Sequence, residues 1–336
     1  MSLSSREQDN LTRWKESQKG FYEVYYLKWN DLAVGVAVWL RYTLLAPIKG
    51  PAEVSVWGIF FDTKDPSKNI GLKNNFPLAD ARIERDVFYF AAGPSAIYDE
   101  GARGEIVQGA NKMSWELKFE EPSLSLRHYP APLYWGKFPK TKFLAPYLSM
   151  RLSGEFRLND RRFTLNQLSA HQGHLWGTEM AHSWVWGNCN AFQEDETFCF
   201  EGLSAQVKVG ERLTPPMTLL FFYWEGKLYR MSGPSHWVTN RSEHGLDRWH
   251  LEGKSGDLLF TGDIFARTEE MAGVRYQDPN GSERFCHNTK TADMKVQILR
   301  KRKSGWEPIK AFSASHSAAF ERVLSGLDPQ VKLLIP

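Results

Sequence analysis

Residues 33–45 read AVGVAVWLRYTLL, and this stretch indicates the fold class most directly. In an extended chain successive side chains point to opposite faces. One face would carry Val34, Val36, Val38, Leu40 and Tyr42, and the other Gly35, Ala37, Trp39 and Arg41. The same alternation recurs in KMSWELKFE (112–120), RLSGEFRLN (151–159) and DLLFTGDIFA (257–266). A period of two predicts β-strands rather than helices.

Turn signals separate these short runs, as at Asn159-Asp160 and at Asp278-Pro279-Asn280-Gly281. Many short strands with few helices predict an all-β protein built from antiparallel barrels or sandwiches. A parallel α/β fold would need a helix after nearly every strand. Only three stretches favour a short helix: the polar N-terminal tail, residues 77–81 and residues 315–327. In the last of these the apolar residues at helical spacing are Ala319, Phe320, Val323 and Leu324.

The composition excludes several classes of protein. The 336 residues hold 42 Lys and Arg against 39 Asp and Glu, a formal charge of +3. Such a balance argues against a nucleic-acid partner, because proteins that bind nucleic acids carry a concentrated patch of positive charge. Cys189, Cys199 and Cys286 are too few and too scattered for a disulfide framework or zinc ribbon, so we expect reduced thiols and a cytoplasmic location. No stretch resembles a membrane span or a secretory signal.

A faint internal repeat suggests two domains. Trp115 and Trp249 each begin a strand that follows an aromatic strand, and the halves are separated by residues 128–147, which contain four prolines. This proline-rich segment predicts a long excursion or a connector. We place the boundary between residues 145 and 175. The resulting prediction is a polar tail over 1–19, a first domain over 20–170, and a second domain over 171–336 that ends in a helix.

The segment 171–205 has the richest chemistry. Trp184 and Trp186 are two residues apart, so on a strand they would share one face. Two adjacent indoles form a flat wall that can hold a planar or polyene ligand, or a cation. They could equally be ordinary core residues. Glu179 lies just before this wall and is either a site carboxylate or a solvated loop residue.

A second candidate segment is FYEVYYLKW, residues 21–29. Glu23, Tyr25, Leu27 and Trp29 would share a face, which places Glu23 among aromatic side chains. Burial there would raise the pKa of Glu23, as a general acid near neutral pH requires. The simpler alternative is a carboxylate at the rim of the domain that pairs with Arg41 or Lys28.

Motifs for cofactors and metals are absent from the sequence. It contains no GxGxxG, no GxxxxGK[ST], no GxSxG and no HExxH. His171, His174 and His182 could form a metal set only on a loop, because residue 171 would point away from 174 and 182 on a strand. We therefore expect neither a cofactor nor a metal.

The two candidate segments resemble one known family. Residues 21–26 (FYEVYY), followed by Lys28, are similar to the opening of the tocopherol cyclase-like and carotenoid 1,2-hydratase-like proteins, an AttH-type two-domain superfamily. Residues 174–177 (HLWG), 184–186 (WVW) and 188–192 (NCNAF) resemble its mid-chain block. One departure is Leu175, which precedes the tryptophan-glycine pair where the family often has a polar residue.

The resemblance implies two packed lipocalin-like (calycin) barrels, lipophilic and often isoprenoid ligands, and metal-free chemistry. We therefore predict a cofactor-independent enzyme that cyclises or hydrates an unsaturated lipophilic molecule by acid assistance. The acid would be Glu23 or Glu179, with His174 and Tyr25 as polar orienting groups. The predicted ligand-binding residues are Trp29, Trp57, Trp176, Trp184, Trp186 and Asn188.

The rival hypothesis is a non-catalytic carrier of lipocalin type, since an aromatic-lined barrel binds lipids without any acid. Either protein would take a lipophilic small molecule as its partner and could contact a membrane surface peripherally to obtain it. The sequence leaves the substrate, the stereochemistry and the oligomeric state undetermined.

Overall fold

The first half of the chain forms one antiparallel sheet of eleven strands, in the order β4-β3-β2-β1-β11-β10-β9-β8-β7-β6-β5. The computed structural model describes residues 5–336. The strands are β1 (Phe21–Asp31), β2 (Val36–Ala46), β3 (Glu53–Asp62), β4 (Ile70–Pro77), β5 (Ala81–Ile83), β6 (Tyr89–Ala92), β7 (Ser95–Tyr98), β8 (Gly101–Gln108), β9 (Asn111–Arg127), β10 (Thr141–Leu158) and β11 (Arg161–Gly177). The sheet curls until β4 meets β8, where the Asn74 side-chain amide exchanges two hydrogen bonds with the backbone of Val107. This contact closes the first barrel.

The second half repeats this design. Its strands are β12 (Ser183–Cys189), β13 (Cys199–Gln206), β14 (Lys208–Val209), β15 (Arg212–Leu213), β16 (Met217–Trp224), β17 (Lys227–Met231), β18 (Arg241–His244), β19 (Arg248–Ser255), β20 (Leu258–Phe265), β21 (Ala272–Gln277), β22 (Glu283–Arg302), β23 (Gly305–Leu324) and β24 (Leu333–Ile335). The main order is β17-β16-β13-β12-β23-β22-β20-β19-β18; β21 joins β22 and β24, and β14 pairs with β15 as a separate hairpin. Asn240 donates to the carbonyl oxygens of Thr218 and Met231 and ties the sheet's ends together. The predicted all-β fold of two lipocalin-like barrels is thereby confirmed.

Helices are few and short, as predicted. They are α1 (Ser5–Asn10), α2 (His236–Thr239) and four 3₁₀ turns at Pro66–Lys68, Leu78–Asp80, Ala131–Tyr134 and Thr268–Glu270. Neither α-helix in residues 5–336 has the length and apolarity needed to cross a membrane. Of the predicted tail 1–19, residues 1–4 lie outside the described residues, and the rest supplies α1 and a segment that packs on the first barrel.

The predicted C-terminal helix is wrong, because residues 305–324 form the long strand β23. Phe320 packs in the second barrel, whereas Ala319 and Val323 pack against the first domain. A strand that is apolar on both faces loses its alternation, and its apolar residues then imitate helical spacing.

The predicted boundary after residue 170 falls inside β11, which continues in the first sheet to Gly177. The chain passes to the second sheet over residues 178–182. The proline-rich segment 128–147 is an excursion between β9 and β10 within the first domain.

The two barrels pack together through the outer faces of their sheets. Val38, Tyr42 and Trp115 fill the first barrel, and Phe200 and Phe260 fill the second. A third apolar cluster lies between the barrels, and its large side chains include Tyr22, Tyr26, Trp39, Trp57, Phe143, Trp186 and Tyr276. Strands β1 to β3 are therefore buried on both faces.

Candidate functional site

A cavity of about 190 Å³ lies between the two barrels, and its lining is mostly apolar. Even-numbered residues of β1 and odd-numbered residues of β2 form one side, and β12 with β21 and β23 form the other. The inner wall includes Tyr22, Val24, Tyr26, Trp39, Phe143, Trp184, Trp186 and Tyr276. Two further segments, near Leu133 and Trp237, also line it. An apolar cleft at a domain interface with a few polar groups is the usual form of a small-molecule site.

The predicted aromatic wall is present in this cavity. Trp184 and Trp186 point from β12 toward the first domain, whereas Val185 between them packs inside the second barrel. Trp184 stacks on Tyr276 with ring centroids 6.3 Å apart and an angle of 8° between the planes. Trp39 adds a third indole from the opposite domain. The cavity thus offers several π-faces to one ligand.

A buried ion pair borders the cavity beside these indoles. Lys290 Nζ donates to Glu321 Oε1 at 2.8 Å and also to Asn288. Lys290 is fully buried, and its ammonium group lies 5.7 Å from the Trp39 ring centroid and 5.5 Å from that of Trp186. Glu321 lines the cavity. A carboxyl group and its proton-bearing partner therefore lie against the aromatic wall.

Tyr26 connects the cavity to a second polar chain. Its hydroxyl lies 3.1 Å from His171 Nε2, and His171 Nδ1 lies 3.2 Å from the carbonyl oxygen of Leu148. Burial lowers the pKa of His171 to about 4, so the ring is neutral at neutral pH. Its Nδ1–H therefore donates to the carbonyl oxygen of Leu148, and Nε2 accepts a hydrogen bond from the Tyr26 hydroxyl. Gly173 permits this arrangement, since a Cβ there would lie 2.3 Å from the Tyr26 ring.

Glu201 lies behind Trp186 in a fully buried network. It accepts hydrogen bonds from His128 Nε2 at 2.5 Å, Trp186 Nε1 at 3.2 Å and Asn188 Nδ2 at 3.2 Å. Burial favours the neutral acid, but the hydrogen bonds from these donors, led by His128, outweigh it and hold the pKa of Glu201 below its usual value. Asn188, a predicted ligand-binding residue, therefore donates a hydrogen bond to Glu201 and does not line the cavity.

Glu23 does not reach the cavity, because the odd-numbered residues of β1 point into the first barrel. Its carboxylate accepts hydrogen bonds from five donors: the Thr12 hydroxyl, the backbone N–H groups of Arg13 and Trp14, the Tyr25 hydroxyl and His174 Nε2. Burial alone would raise its pKa, but these donors, led by His174, lower it. The expectation of a raised pKa is wrong, and Glu23 pairs with His174, not with Arg41 or Lys28.

The remaining predicted site residues divide between several locations. Tyr25, His174, Trp29 and Trp176 point into the first barrel with Glu23. Glu179 lines the cavity and pairs with Lys140. Trp57 lies outside the cavity, in a smaller recess next to it.

The three histidines of the rejected metal set do not converge. His171 faces the interface, His174 faces the barrel interior, and His182 lies on the connector between the domains. Within residues 5–336 no group of three or more His, Cys, Asp or Glu side chains is arranged to hold a metal ion.

Sequence reasoning missed Tyr26, Arg41, Lys290 and Glu321. A signal was available for Arg41, a charged residue inside the otherwise mostly apolar strand β2, whereas Lys290 and Glu321 lie close to other polar residues of β22 and β23. Such a residue is costly to bury unless it is paired or used.

Comparisons with known proteins agree with this architecture. CghA superposes with a TM-score of 0.55 at 8% identity over 97% of this chain and 95% of that one, and its complex with Sch210972 gives the same values. Kievitone hydratase from Nectria haematococca gives a TM-score of 0.50 at 7% identity, covering 90% of this chain and 89% of that one. At these identities the likeness establishes the fold alone. Two Mycobacterium tuberculosis proteins described as uncharacterized, MT0513 and Rv0493c, are each 22% identical over 295 residues, which is 86% of this chain and 84% of theirs.

The fold and the cavity define a double-barrel protein with a mostly apolar cavity between its domains. The tocopherol cyclase-like family model matches residues 149–322, just over half of the chain. The chain belongs to the tocopherol cyclase-like family, as the motifs in β1, β11 and β12 indicated.

Proposed function

We propose that the protein is an enzyme that cyclises or hydrates an unsaturated, lipophilic small molecule of isoprenoid or polyene type. The observation that carries this proposal is the apolar interface cavity, in which an indole wall lies beside the Glu321–Lys290 pair. The names of the tocopherol cyclase-like family and of kievitone hydratase support the same reaction classes. The reaction would need no cofactor, because acid, cation stabiliser and nucleophile all come from side chains, substrate and water.

The proposed acid is Glu321, in place of Glu23 or Glu179. Lys290 is the proton source, since its Nζ donates directly to Glu321. Once a lipophilic ligand has displaced water, the proton that forms this hydrogen bond passes from Lys290 Nζ to the Glu321 carboxylate. Glu321 then transfers its proton to an alkene carbon, and a carbocation forms. A substrate hydroxyl or a water molecule adds to the cation, and its proton returns to the Glu321 carboxylate.

The indole rings can stabilise the carbocation. The π-faces of Trp39, Trp184 and Trp186 attract positive charge, and this attraction strengthens when water is excluded. A carrier would not require the buried Glu321–Lys290 pair beside its ligand. We therefore regard the non-catalytic carrier as the second candidate function.

The direct test uses the protein purified from its own host. Native mass spectrometry detects a bound molecule, which is extracted and incubated with fresh protein. We expect conversion to an isomer, for cyclisation, or to a product heavier by one water, for hydration. Recovery of the bound molecule without change would support the carrier and contradict the proposal.

We further propose that the cavity mouth contacts an anionic membrane surface to collect its ligand. Large apolar side chains are exposed beside residues that line the cavity: Trp135 is 87% exposed, Val238 74% and Val209 58%. The same segments carry four cations, Lys137, Lys140, Lys208 and Arg212. Exposed tryptophan with neighbouring lysines favours binding to anionic bilayers. The three buried free thiols fit the cytoplasmic, reducing side of such a membrane.

Vesicle co-sedimentation tests this contact. The protein should sediment with phosphatidylglycerol-containing vesicles and less with pure phosphatidylcholine. A Trp135→Ser/Val238→Ser variant should bind about tenfold more weakly, because two apolar side chains no longer enter the interface. Phe265→Ser is the matched control, since Phe265 is also exposed but does not neighbour the cavity. An equal loss of vesicle binding in Phe265→Ser, or no vesicle binding by the wild type, would contradict the proposal.

A further inference from the structure

Arg41 is a buried cation that lacks an anionic partner. Its side chain is 6% exposed, and its Nε donates to Thr43 Oγ1 at 3.0 Å. No carboxylate in residues 5–336 lies within ion-pair distance of it. Burying an unpaired charge is expensive, so such a group usually has a counter-ion when the protein functions.

Two aromatic rings hold the guanidinium group in place. It lies 4.2 Å from the ring centroid of Tyr276 and 4.8 Å from that of Trp57. The two ring centroids are 6.0 Å apart, so the rings lie on adjacent sides of the guanidinium, and the Thr43 hydroxyl occupies its Nε edge. The planar fork of an arginine binds an oxyanion through its edge, often with two parallel hydrogen bonds. The remaining edge is therefore the part of Arg41 that can receive a ligand.

The surroundings of Arg41 form a small polar recess of about 70 Å³, lined also by Trp57, Lys73 and Arg275. Arg41, Trp57 and Lys73 are direct cross-strand neighbours on β2, β3 and β4. The Lys73 ammonium group lies 4.3 Å from the Trp57 ring centroid.

Two carboxylates also face this recess. Glu283 pairs with Arg275 at 3.4 Å, and Glu53 forms no ion pair with Arg41 or Lys73 within residues 5–336. The lining side chains carry three positive and two negative charges, and Pro336 also lines the recess. Burial and the charges of Arg41 and Arg275 lower the pKa of Lys73, while Glu53 opposes this shift.

The recess adjoins the interface cavity, because Tyr22, Arg41 and Met180 line both. Tyr276 spans the junction, since it stacks on Trp184 in the cavity and on Arg41 at the recess.

We propose that the recess binds the oxyanionic head group, a carboxylate or a phosphate, of the same molecule whose apolar part lies in the interface cavity. The inference rests on the proposed function and narrows its substrate class to an anionic amphiphile. Arg41 forms the bidentate contact, and Lys73 adds a second, weaker one.

The test compares two fluorescent polyenes that differ only in charge: cis-parinaric acid and its methyl ester. The intact protein should bind the acid about tenfold more tightly than the ester, as expected for a charge-assisted hydrogen-bonded contact. Arg41→Gln should abolish this preference while the ester affinity stays within about twofold. Arg41→Lys should keep part of the preference for the acid, because the positive charge remains but the planar guanidinium that makes two parallel hydrogen bonds is lost.

Two further variants keep the test decisive. Lys73→Gln should reduce the preference by about two- to threefold, as a half-buried contact would. Lys303→Gln, in the exposed turn between β22 and β23, is the matched control and should leave the preference unchanged. Competition against the bound ester by dodecanoate, dodecyl phosphate and dodecanol then ranks the head groups. Displacement by dodecanol as effective as by either anion would overturn the proposal.

The outcomes separate this inference from the proposed function. If acid and ester bind equally to the wild type, the recess is not an anion site, while the apolar cavity remains a ligand site. If Arg41→Gln weakens both probes equally, Arg41 only supports the packing and the inference fails. If neither probe binds, the proposed lipophilic site fails as well.

Discussion

Replacing Glu23 with glutamine should lower the free energy of unfolding by about 3–5 kcal/mol, the range seen when one member of a buried ion pair is removed. The carboxylate accepts five hydrogen bonds, and two of them come from the backbone of Arg13 and Trp14. An amide presents an NH₂ group to these donors, which leaves buried N–H groups without acceptors. The N-terminal segment is fastened to the barrel by these bonds, so the variant should also lose protection of the Arg13 and Trp14 amides in hydrogen exchange.

The difference in the free energy of unfolding between the wild type and Glu23→Gln should depend on pH. The pKa of Glu23 is lower in the folded protein than its ordinary value of 4.5. Its contribution to stability is therefore fully present above about pH 4.5 and is lost as the pH falls through the lower, folded-state pKa. Urea unfolding at pH 7 and at progressively lower pH measures this difference. The free energies of unfolding of the two proteins should become equal as the solution is acidified.

Glu16→Gln is the matched control for this prediction, since Glu16 is exposed in the same N-terminal segment. It should change stability by less than about 0.5 kcal/mol. A Glu23→Gln protein as stable as wild type, or a difference that does not shrink in acid, would contradict the role assigned to Glu23.

Glu321→Gln should reduce turnover of the copurified molecule by about 10²–10⁴-fold, the usual contribution of a positioned acid. Its binding should change little, because glutamine keeps an oxygen for the hydrogen bond from Lys290 and has nearly the same volume. The measurement is single-turnover conversion of the extracted molecule, with binding followed separately by native mass spectrometry. Thermal unfolding of the variant checks that the fold persists.

Glu179→Gln provides the comparison, because Glu179 also lines the cavity but pairs with Lys140 instead of Lys290. It should retain turnover within about threefold, as expected for a partly exposed ion pair. If Glu179→Gln loses turnover and Glu321→Gln keeps it, the acid is Glu179, and the mechanism through Lys290 is wrong.

Part of the site was predictable from the sequence. Trp184 and Trp186 share a face simply because they are two residues apart on a strand, and the structure brings both to the cavity. The same rule placed Glu23, Tyr25 and Trp29 on one face of β1, and they do share that face. It could not tell that their face points into the first barrel, so the alternate residues of β1, Tyr22, Val24 and Tyr26, line the cavity instead.

Alternation is a local property of the chain, since a strand's own stereochemistry sends neighbouring side chains to opposite sides. The all-β class, the two barrels and the pairing of residues on each face therefore follow from the sequence, together with the family motifs. Partners distant in sequence depend on how the two barrels pack. That packing alone brings Glu321 of β23 and Trp39 of β2 to one cavity and seats Arg41 beside Tyr276. The N-terminal segment, which packs on the first barrel, supplies donors to Glu23. No spacing rule within one strand encodes such contacts, because their geometry is created only when the sheets and the N-terminal segment come together.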